Sequence, residues 1–207
     1  MGEKKAWKKK ARILLFNPPS FQAKNIVRDL LYGCWCQGKR IAGATFPPHS
    51  LLSLATILNK KHKAKIVDYQ NYDITPEGFQ AIVRYYDFLV IPCSFQTMHD
   101  DLKWLTLAKR SNQKLKTVIF GALSTFTPEV VYQDSVDFGV VGEPELAVSN
   151  LVDDLNTNKI SASAPVEEIK SILPPGIVFF FSPKKELVVQ PQEFVELDDL
   201  PIPDRGP

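Results

Sequence analysis

The sequence predicts an α/β fold: a doubly wound sheet of five parallel strands with helices on both faces, followed by a C-terminal β-hairpin. From residue 12 to about 155, short β-branched apolar runs alternate with amphipathic stretches, as in repeated strand-helix units. Small or polar residues directly follow three of these runs, as they do at the ligand-binding edge of doubly wound sheets. A chain of 207 residues, 44% of them hydrophobic, can bury one such core.

Five apolar runs predict the strands of the sheet. In chain order they are Ile13 to Phe16, Lys65 to Tyr69, Phe88 to Ile91, Thr117 to Phe120 and Phe138 to Val141. Parallel strands need crossover connections, and right-handed crossovers in this order leave helices on both faces of the sheet.

The stretches between the strands have helical periodicity. Apolar residues fall on one helical face in four of them: Leu51, Leu52, Leu54, Ala55 and Leu58; Phe79, Ile82 and Val83; Leu102, Leu105 and Ala108; and Leu146, Val148 and Leu151 after Pro144. Thr75-Pro76 and Thr127-Pro128 predict helix starts, because a capping hydroxyl precedes a proline that needs no amide hydrogen. Thr97 and Asp100 predict a capping pair for the third helix.

The rest of the chain divides around this core. Residues 1–11 form a basic tail, 12–155 form the main domain, and 21–45 form a long insertion in its first connection. Residues 156–196 form a linker and a hairpin, and 197–207, rich in proline and acid, begin an interdomain linker. Two strands alone are marginal in water, so the hairpin of Ile177 to Phe181 and Leu187 to Val189 must pack on the main domain or on a partner.

Composition argues against several classes of protein. The net charge of +2, with much of the basic excess in a solvated tail, gives no reason to expect nucleic-acid binding. No apolar run reaches the ~20 residues that span a bilayer, and no secretory signal follows the N-terminal charges, so a cytoplasmic location is expected. Cys34, Cys36 and Cys93 are too few for a disulfide framework, and Cys34-Trp35-Cys36 lacks a second pair of metal ligands. We therefore expect no metal site.

Candidate ligand-binding residues cluster where the strands end. Ser94-Phe95-Gln96-Thr97 follows the third strand, Gly121 to Phe126 follows the fourth, and Gly142-Glu143 follows the fifth. Because the carboxyl ends of parallel strands meet at one edge, these loops should border a single crevice.

Phosphate and hydrolase sites are weakly supported. The first strand is followed by Asn17-Pro18-Pro19-Ser20-Phe21, which matches neither glycine-rich phosphate motif, so an ordinary NAD or nucleoside triphosphate site is not expected. Ser94 or Ser124 with His99 as base would make a hydrolase, but neither serine lies in a G-x-S-x-G elbow. His49, at the start of the first helix, either touches a ligand or metal at this edge or is a partly exposed helix-start residue.

Several motifs, in their order and spacing, resemble the N-terminal cobalamin-binding domain of cobalamin-dependent radical S-adenosylmethionine enzymes. The resemblance covers nearly the whole chain. It is carried by Asn17-Pro18-Pro19, Pro47-Pro48 with Leu51-Leu52-Ser53-Leu54-Ala55, Val67-Asp68, Phe120-Gly121-Ala122, Asp137 to Glu145 and Leu197-Asp198-Asp199-Leu200-Pro201.

This resemblance implies a flavodoxin-like or Rossmann-like five-stranded sheet with cobalamin over its carboxyl edge, the nucleotide tail lying between strand-end loops. The implied cofactor-binding residues are Asn17, Pro18, Pro19, His49, Ser94, Phe95, Gln96, Thr97, Gly121, Ala122, Leu123, Ser124, Thr125, Gly142 and Glu143. The related methionine-synthase type of domain has a D-x-H-x-x-G loop, whose histidine binds cobalt, where this chain has Asn17 to Phe21. The resemblance therefore implies base-off cobalamin with no histidine on cobalt, unless His49 substitutes.

The resemblance also implies a longer protein. The C-x-x-x-C-x-x-C motif that would hold an iron-sulfur cluster is absent from these residues, so the cluster and S-adenosylmethionine are expected only in an absent C-terminal radical S-adenosylmethionine domain. The chain alone should bind cobalamin without catalysing a reaction. The alternative function is a Rossmann-like interaction module that has lost its cofactor and docks a partner through the insertion.

Overall fold

A computed structural model describes residues 10–21, 47–68, 74–157, 166–181, 185–196, 198 and 200–203. Within them, seven strands form one sheet in the order β2-β1-β3-β4-β5-β6-β7. The strands are β1 Arg12–Asn17, β2 Lys63–Asp68, β3 Phe88–Pro92, β4 Lys116–Phe120, β5 Phe138–Val140, β6 Ile177–Phe181 and β7 Glu186–Val189.

The first five strands are parallel and have the flavodoxin-like order 2-1-3-4-5. This confirms the predicted fold class and all five predicted strands. The predicted hairpin is β6 and β7, and β6 pairs antiparallel with β5. The hairpin therefore packs on the main domain by extending its sheet.

Helices cover both faces of the sheet. They are α1 His49–Leu58, α2 Pro76–Val83, α3 Met98–Ser111, α4 Ala122–Phe126, α5 Pro144–Asn156 and α6 Val166–Ile172, with a 3-10 helix at Pro128–Tyr132. One apolar layer contains buried residues of α1, α5 and α6, and the opposite layer contains those of α2, α3, α4 and the 3-10 helix.

Burial explains why the strands could be predicted from the sequence. β1 and β3 lie inside the sheet between both helical layers, so their apolar runs are buried almost without interruption. β2 is an edge strand and exposes Lys63 and Lys65, charges of the kind that protect sheet edges from pairing with other chains.

The structure confirms the helix starts and caps predicted from the sequence only in part. The Thr75 hydroxyl accepts from the Gly78 amide at 3.1 Å, as a helix cap should. Thr97 makes no such bond and instead donates to Asp101 Oδ2 at 2.6 Å, so the predicted pairing with Asp100 is wrong. A helix does start at Pro128 after Thr127, as predicted, but it is a 3-10 helix and the Thr127 side chain makes no cap hydrogen bond. The sequence also missed α4 and α6, each too short to show helical periodicity.

Some predicted features lie outside the described residues. These are the basic tail up to residue 9, the insertion from Gln22 onward, the linker from 158 to 165, and the hairpin turn at 182–184. Across the ranges that the structure describes, no helix is both long and apolar enough to cross a membrane.

Candidate functional site

The topology brings the loops after β1, β3, β4 and β5 to one edge of the sheet. The crossover after β1 runs through α1 in one helical layer, and the crossover after β3 runs through α3 in the other. The chain thus leaves β1 and β3 in opposite directions, which opens a crevice at their carboxyl ends. This is where the predicted site residues converge.

Asn17, the last residue of β1, is fully buried at this edge. Its Nδ2 donates to Asp68 Oδ1 at 2.8 Å, and Asp68 is its register partner in β2. The Asn17 Oδ1 atom is buried and has no hydrogen-bond partner among the described residues. Leaving a buried acceptor unsatisfied costs about 1–3 kcal/mol, so this atom calls for a donor that the described part of the chain does not supply.

The loop after β1 is fixed against α3. Trp104 Nε1 donates to the Pro19 carbonyl at 2.9 Å, and the Phe21 ring stacks on Trp104 with centroids 4.8 Å apart. Asp100 Oδ2 accepts from the Ser20 hydroxyl and from the Phe21 amide. The sequence analysis did not predict that Trp104 and Asp100 position this loop. The signal that could have indicated it is a tryptophan and two adjacent acidic residues within one amphipathic helix.

The loop after β3 has an inward and an outward part. The Ser94 and Thr97 hydroxyls lie 2.9 Å apart, and buried Thr97 is in turn hydrogen-bonded to buried Asp101. Phe95 and Gln96 are exposed. Gln96 can therefore reach a ligand with its amide, while Thr97 shapes the loop from within.

Gly121 allows the loops after β3 and β4 to approach closely. Its φ of +104° is a left-handed conformation that favours glycine, and an added Cβ would lie 2.8 Å from the Cys93 carbonyl oxygen. The same carbonyl accepts from the Leu123 amide at 3.3 Å. Any larger residue at 121 would push these two loops apart.

Leu123 and Ser124 point into the protein. Both are buried, and the Ser124 hydroxyl donates to the Val140 carbonyl of β5 at 2.6 Å. Thr125 is oriented differently, since its Oγ1 accepts from the Gly142 amide at 3.1 Å. Ser124 thus ties α4 to β5. Neither Ser94 nor Ser124 is hydrogen-bonded to a histidine of the described ranges, so the geometry gives a hydrolase no support.

Gly142 and Glu143 are covered in part by a segment that the sequence did not place there. Residues 190–196 follow β7 back along this edge, and the Gln192 side chain lies against Gly142, whose φ is +78°. Glu143 Oε2 accepts from the Val195 amide at 3.4 Å. The rim at β5 therefore includes Gln192.

The three histidines have separate surroundings. His49 is exposed at the first residue of α1, and His99 is exposed in the first turn of α3. His62 is buried beyond the end of α1, with Nε2 2.9 Å from Asp153 Oδ1. Among the residues with described positions, no cluster of three or more His, Cys, Asp or Glu side chains could hold a metal ion.

Comparison with known proteins gives two likenesses. No protein-family profile matches the chain. It is 30% identical over 169 residues to the uncharacterized methyltransferase PH0819 of Pyrococcus horikoshii, an alignment that covers 80% of this chain and 35% of that protein. Its fold matches TsrM of Kitasatospora setae, a radical S-adenosylmethionine methyltransferase solved with its tryptophan substrate and a SAM analogue, with a TM-score of 0.60 and 15% identity.

These findings define a doubly wound α/β domain with the fold of one part of a methyltransferase. The match to TsrM covers 88% of this chain but 30% of that chain, and the chain spans about a third of the length of both proteins.

Proposed function

We propose that this chain is the cobalamin-binding module of a radical S-adenosylmethionine enzyme of the methyltransferase type. The observation that carries the proposal is the buried Asn17 Oδ1 atom, which has no partner among the residues that the structure describes and lies at the carboxyl edge of a flavodoxin-like sheet. The periphery of cobalamin carries carboxamides, whose N–H groups are donors of the kind that this oxygen lacks. Similarity in sequence and fold to parts of two methyltransferases supports the assignment to an enzyme of the methyltransferase type.

Most of the predicted residues at the carboxyl edge are suited to contact such a cofactor. Gly121 permits close backbone approach, Gln96 offers an exposed amide, and Asn17 offers an oriented acceptor. Pro18, Pro19, Ser94, Phe95, Ala122, Thr125, Gly142 and Glu143 complete the proposed walls. Thr97, Leu123 and Ser124 would support the site from behind, because all three are buried in the fold.

When bound, cobalamin would supply a cobalt centre that can carry a methyl group. This chain would bind and orient it, with no histidine required on cobalt unless the exposed His49 approaches. Transfer of the methyl group would need a further domain with an iron-sulfur cluster and S-adenosylmethionine, which we place in a longer protein of which this chain would be the N-terminal part, residues 12–155 being its cofactor domain.

Reconstitution tests the proposal directly. The purified chain is incubated with hydroxocobalamin and passed through gel filtration, and the corrin absorbance that stays with the protein is measured. We expect about one corrin per chain. A folded protein that retains no corrin would overturn the proposal.

A matched pair of variants locates the site. Gln96 and Gln113 are both exposed, but Gln96 follows β3 at the carboxyl edge and Gln113 precedes β4 at the opposite edge. We expect Gln96→Trp to lower corrin retention at least ten-fold and Gln113→Trp to leave it unchanged. Equal retention in both variants would show that the cofactor binds elsewhere.

The alternative is an interaction module without cofactor. It predicts that the folded protein retains no corrin and that Gln96→Trp alters nothing but surface contacts. The same experiment therefore separates the two functions.

A further inference from the structure

The hairpin returns the chain to the carboxyl edge of the sheet. Because β6 pairs antiparallel with β5, β6 begins and β7 ends beside the carboxyl end of β5. Residues 191–196, which we call the strap, follow β7 at that edge without helix or strand structure. The strap therefore lies next to the loop after β5, although the two are distant in sequence.

Among the described residues, two hydrogen bonds attach the strap. The Gly176 amide donates to the Pro191 carbonyl at 2.9 Å, and the Val195 amide donates to Glu143 Oε2 at 3.4 Å. Between these attachments, a cavity of about 60 Å³ lies between the strap and the start of α5, and Phe194 is 86% exposed. Because the strap has little packing of its own, it can adjust its position to a ligand.

Gln192 lies between the two attachments, and its side chain rests on Gly142. The φ of Gly142 is +78°, and a Cβ added there would overlap the Gln192 side-chain amide. Gln192 thus occupies space that only a glycine at position 142 leaves open. The Gly142 amide donates to Thr125 Oγ1 at 3.1 Å, so Gln192 stands beside two of the predicted binding residues.

The Gln192 amide is half-buried and has no hydrogen-bond partner among the residues that the structure describes. A side-chain amide offers two N–H donors and a carbonyl acceptor. The carboxamides of cobalamin carry the same groups, so the two amides can each donate to the other. We propose that Gln192 binds a carboxamide of the cofactor and that the strap closes over it, an inference that rests on the proposed function.

The dissociation constant of the full chain for hydroxocobalamin, measured by equilibrium dialysis, tests this proposal. Gln192→Leu keeps side-chain bulk over Gly142 and removes the polar groups. We expect it to weaken binding about five- to ten-fold, as the loss of a neutral hydrogen bond would. The control is Gln113→Leu, the same change at an exposed residue of the opposite edge, which should leave the dissociation constant unchanged.

Two further measurements separate a binding role from a structural one. Because the Gln192 amide has no hydrogen-bond partner among the described residues, Gln192→Leu should leave the urea midpoint of the cofactor-free chain unchanged. Hydrogen exchange of a peptide that covers the strap should become slower when wild type binds hydroxocobalamin. In Gln192→Leu this slowing should be smaller at equal occupancy.

Three outcomes count against the proposal while wild type binds the corrinoid. Equal binding by Gln192→Leu and wild type would show that the amide does not contact the cofactor. A lowered urea midpoint in the cofactor-free variant would assign Gln192 to the fold instead. Unchanged exchange across the strap in loaded wild type would show that the strap does not close. A wild type that binds no corrinoid would instead overturn the proposed function and this inference together.

Discussion

Gly121 is the residue whose identity the carboxyl edge depends on most directly. Its positive φ disfavours a side chain, and so does the 2.8 Å that would separate an added Cβ from the Cys93 carbonyl oxygen. Gly78 provides a natural contrast, because it lies inside α2 and an added Cβ would be 3.3 Å from Thr75 Oγ1, with no positive φ.

Gly121→Ala should lower the free energy of unfolding by about 1–3 kcal/mol, because backbone strain and a clash add together. Gly78→Ala should change it by less than about 1 kcal/mol, since helix propensity offsets the tighter contact. Urea unfolding measures both values. Equal effects in the two variants would contradict the close approach of the loops after β3 and β4.

Ser124 is of a residue type suited to ligand binding, but its hydroxyl has a role within the fold. The sequence placed it among candidate ligand-binding residues because it follows a strand and a glycine. Its hydroxyl is instead donated to the Val140 carbonyl, so its removal should weaken the attachment of α4 to β5 whether or not a ligand is bound.

Helices α1 and α5 are joined by a charged cluster at the end of α1. Asp153 of α5 forms ion pairs with Lys61 and with His62, whose Nε2 is 2.9 Å away. Burial raises the pKa of the Asp153 carboxyl, but hydrogen bonds and charge from Lys61 and His62 outweigh burial and hold the pKa below its ordinary value of 3.8. The cluster therefore stabilises the fold when Asp153 is ionised.

The lowered pKa gives a pH dependence with a defined sign. A carboxyl whose pKa falls on folding contributes stability above its unfolded value and loses it as pH drops through the folded value. Asp153→Asn should therefore cost about 1 kcal/mol at pH 7 and progressively less below about pH 4. Urea unfolding at several pH values measures this.

Asp134, which is exposed, provides the control for this prediction. Asp134→Asn should change the free energy of unfolding little at any pH. A difference between wild type and Asp153→Asn that stays constant from pH 7 to pH 3 would contradict the role of the charged cluster.

The fold as a whole depends on the hairpin that extends the sheet. β6 covers the backbone edge of β5, and Phe179 stacks on Phe138 with centroids 5.4 Å apart. Ile177 and Val178 are fully buried, one in each apolar layer. The sequence predicted a hairpin that packs on the main domain or on a partner, and its strands contribute to both core layers.

Removal of residues 176–207 should therefore prevent formation of a stable monomer, because β5 becomes an unprotected edge and both layers lose buried side chains. Removal of 197–207 alone should leave the fold intact. Size-exclusion chromatography and thermal unfolding compare the two truncations. A soluble, cooperatively unfolding chain ending at residue 175 would contradict this role of the hairpin.

Local patterns in the sequence determined the order and type of the main elements. Each central strand is an apolar run buried on both sides, and each longer helix has an apolar face, so their periodicity is visible within a few residues. The strand-end position of Asn17, Gln96, Gly121 and Gly142 follows from that order alone.

Only the tertiary structure decided which of these side chains point into the fold and which lie at the edge. Ser124 points to β5, Gln192 reaches Gly142 from 50 positions away in sequence, and Asn17 has an oxygen without a partner among the described residues. Such outcomes depend on contacts between residues far apart in the chain. A local sequence pattern predicts the secondary structure of a segment. The direction of a side chain at the carboxyl edge of the sheet depends instead on the neighbours that folding brings next to it.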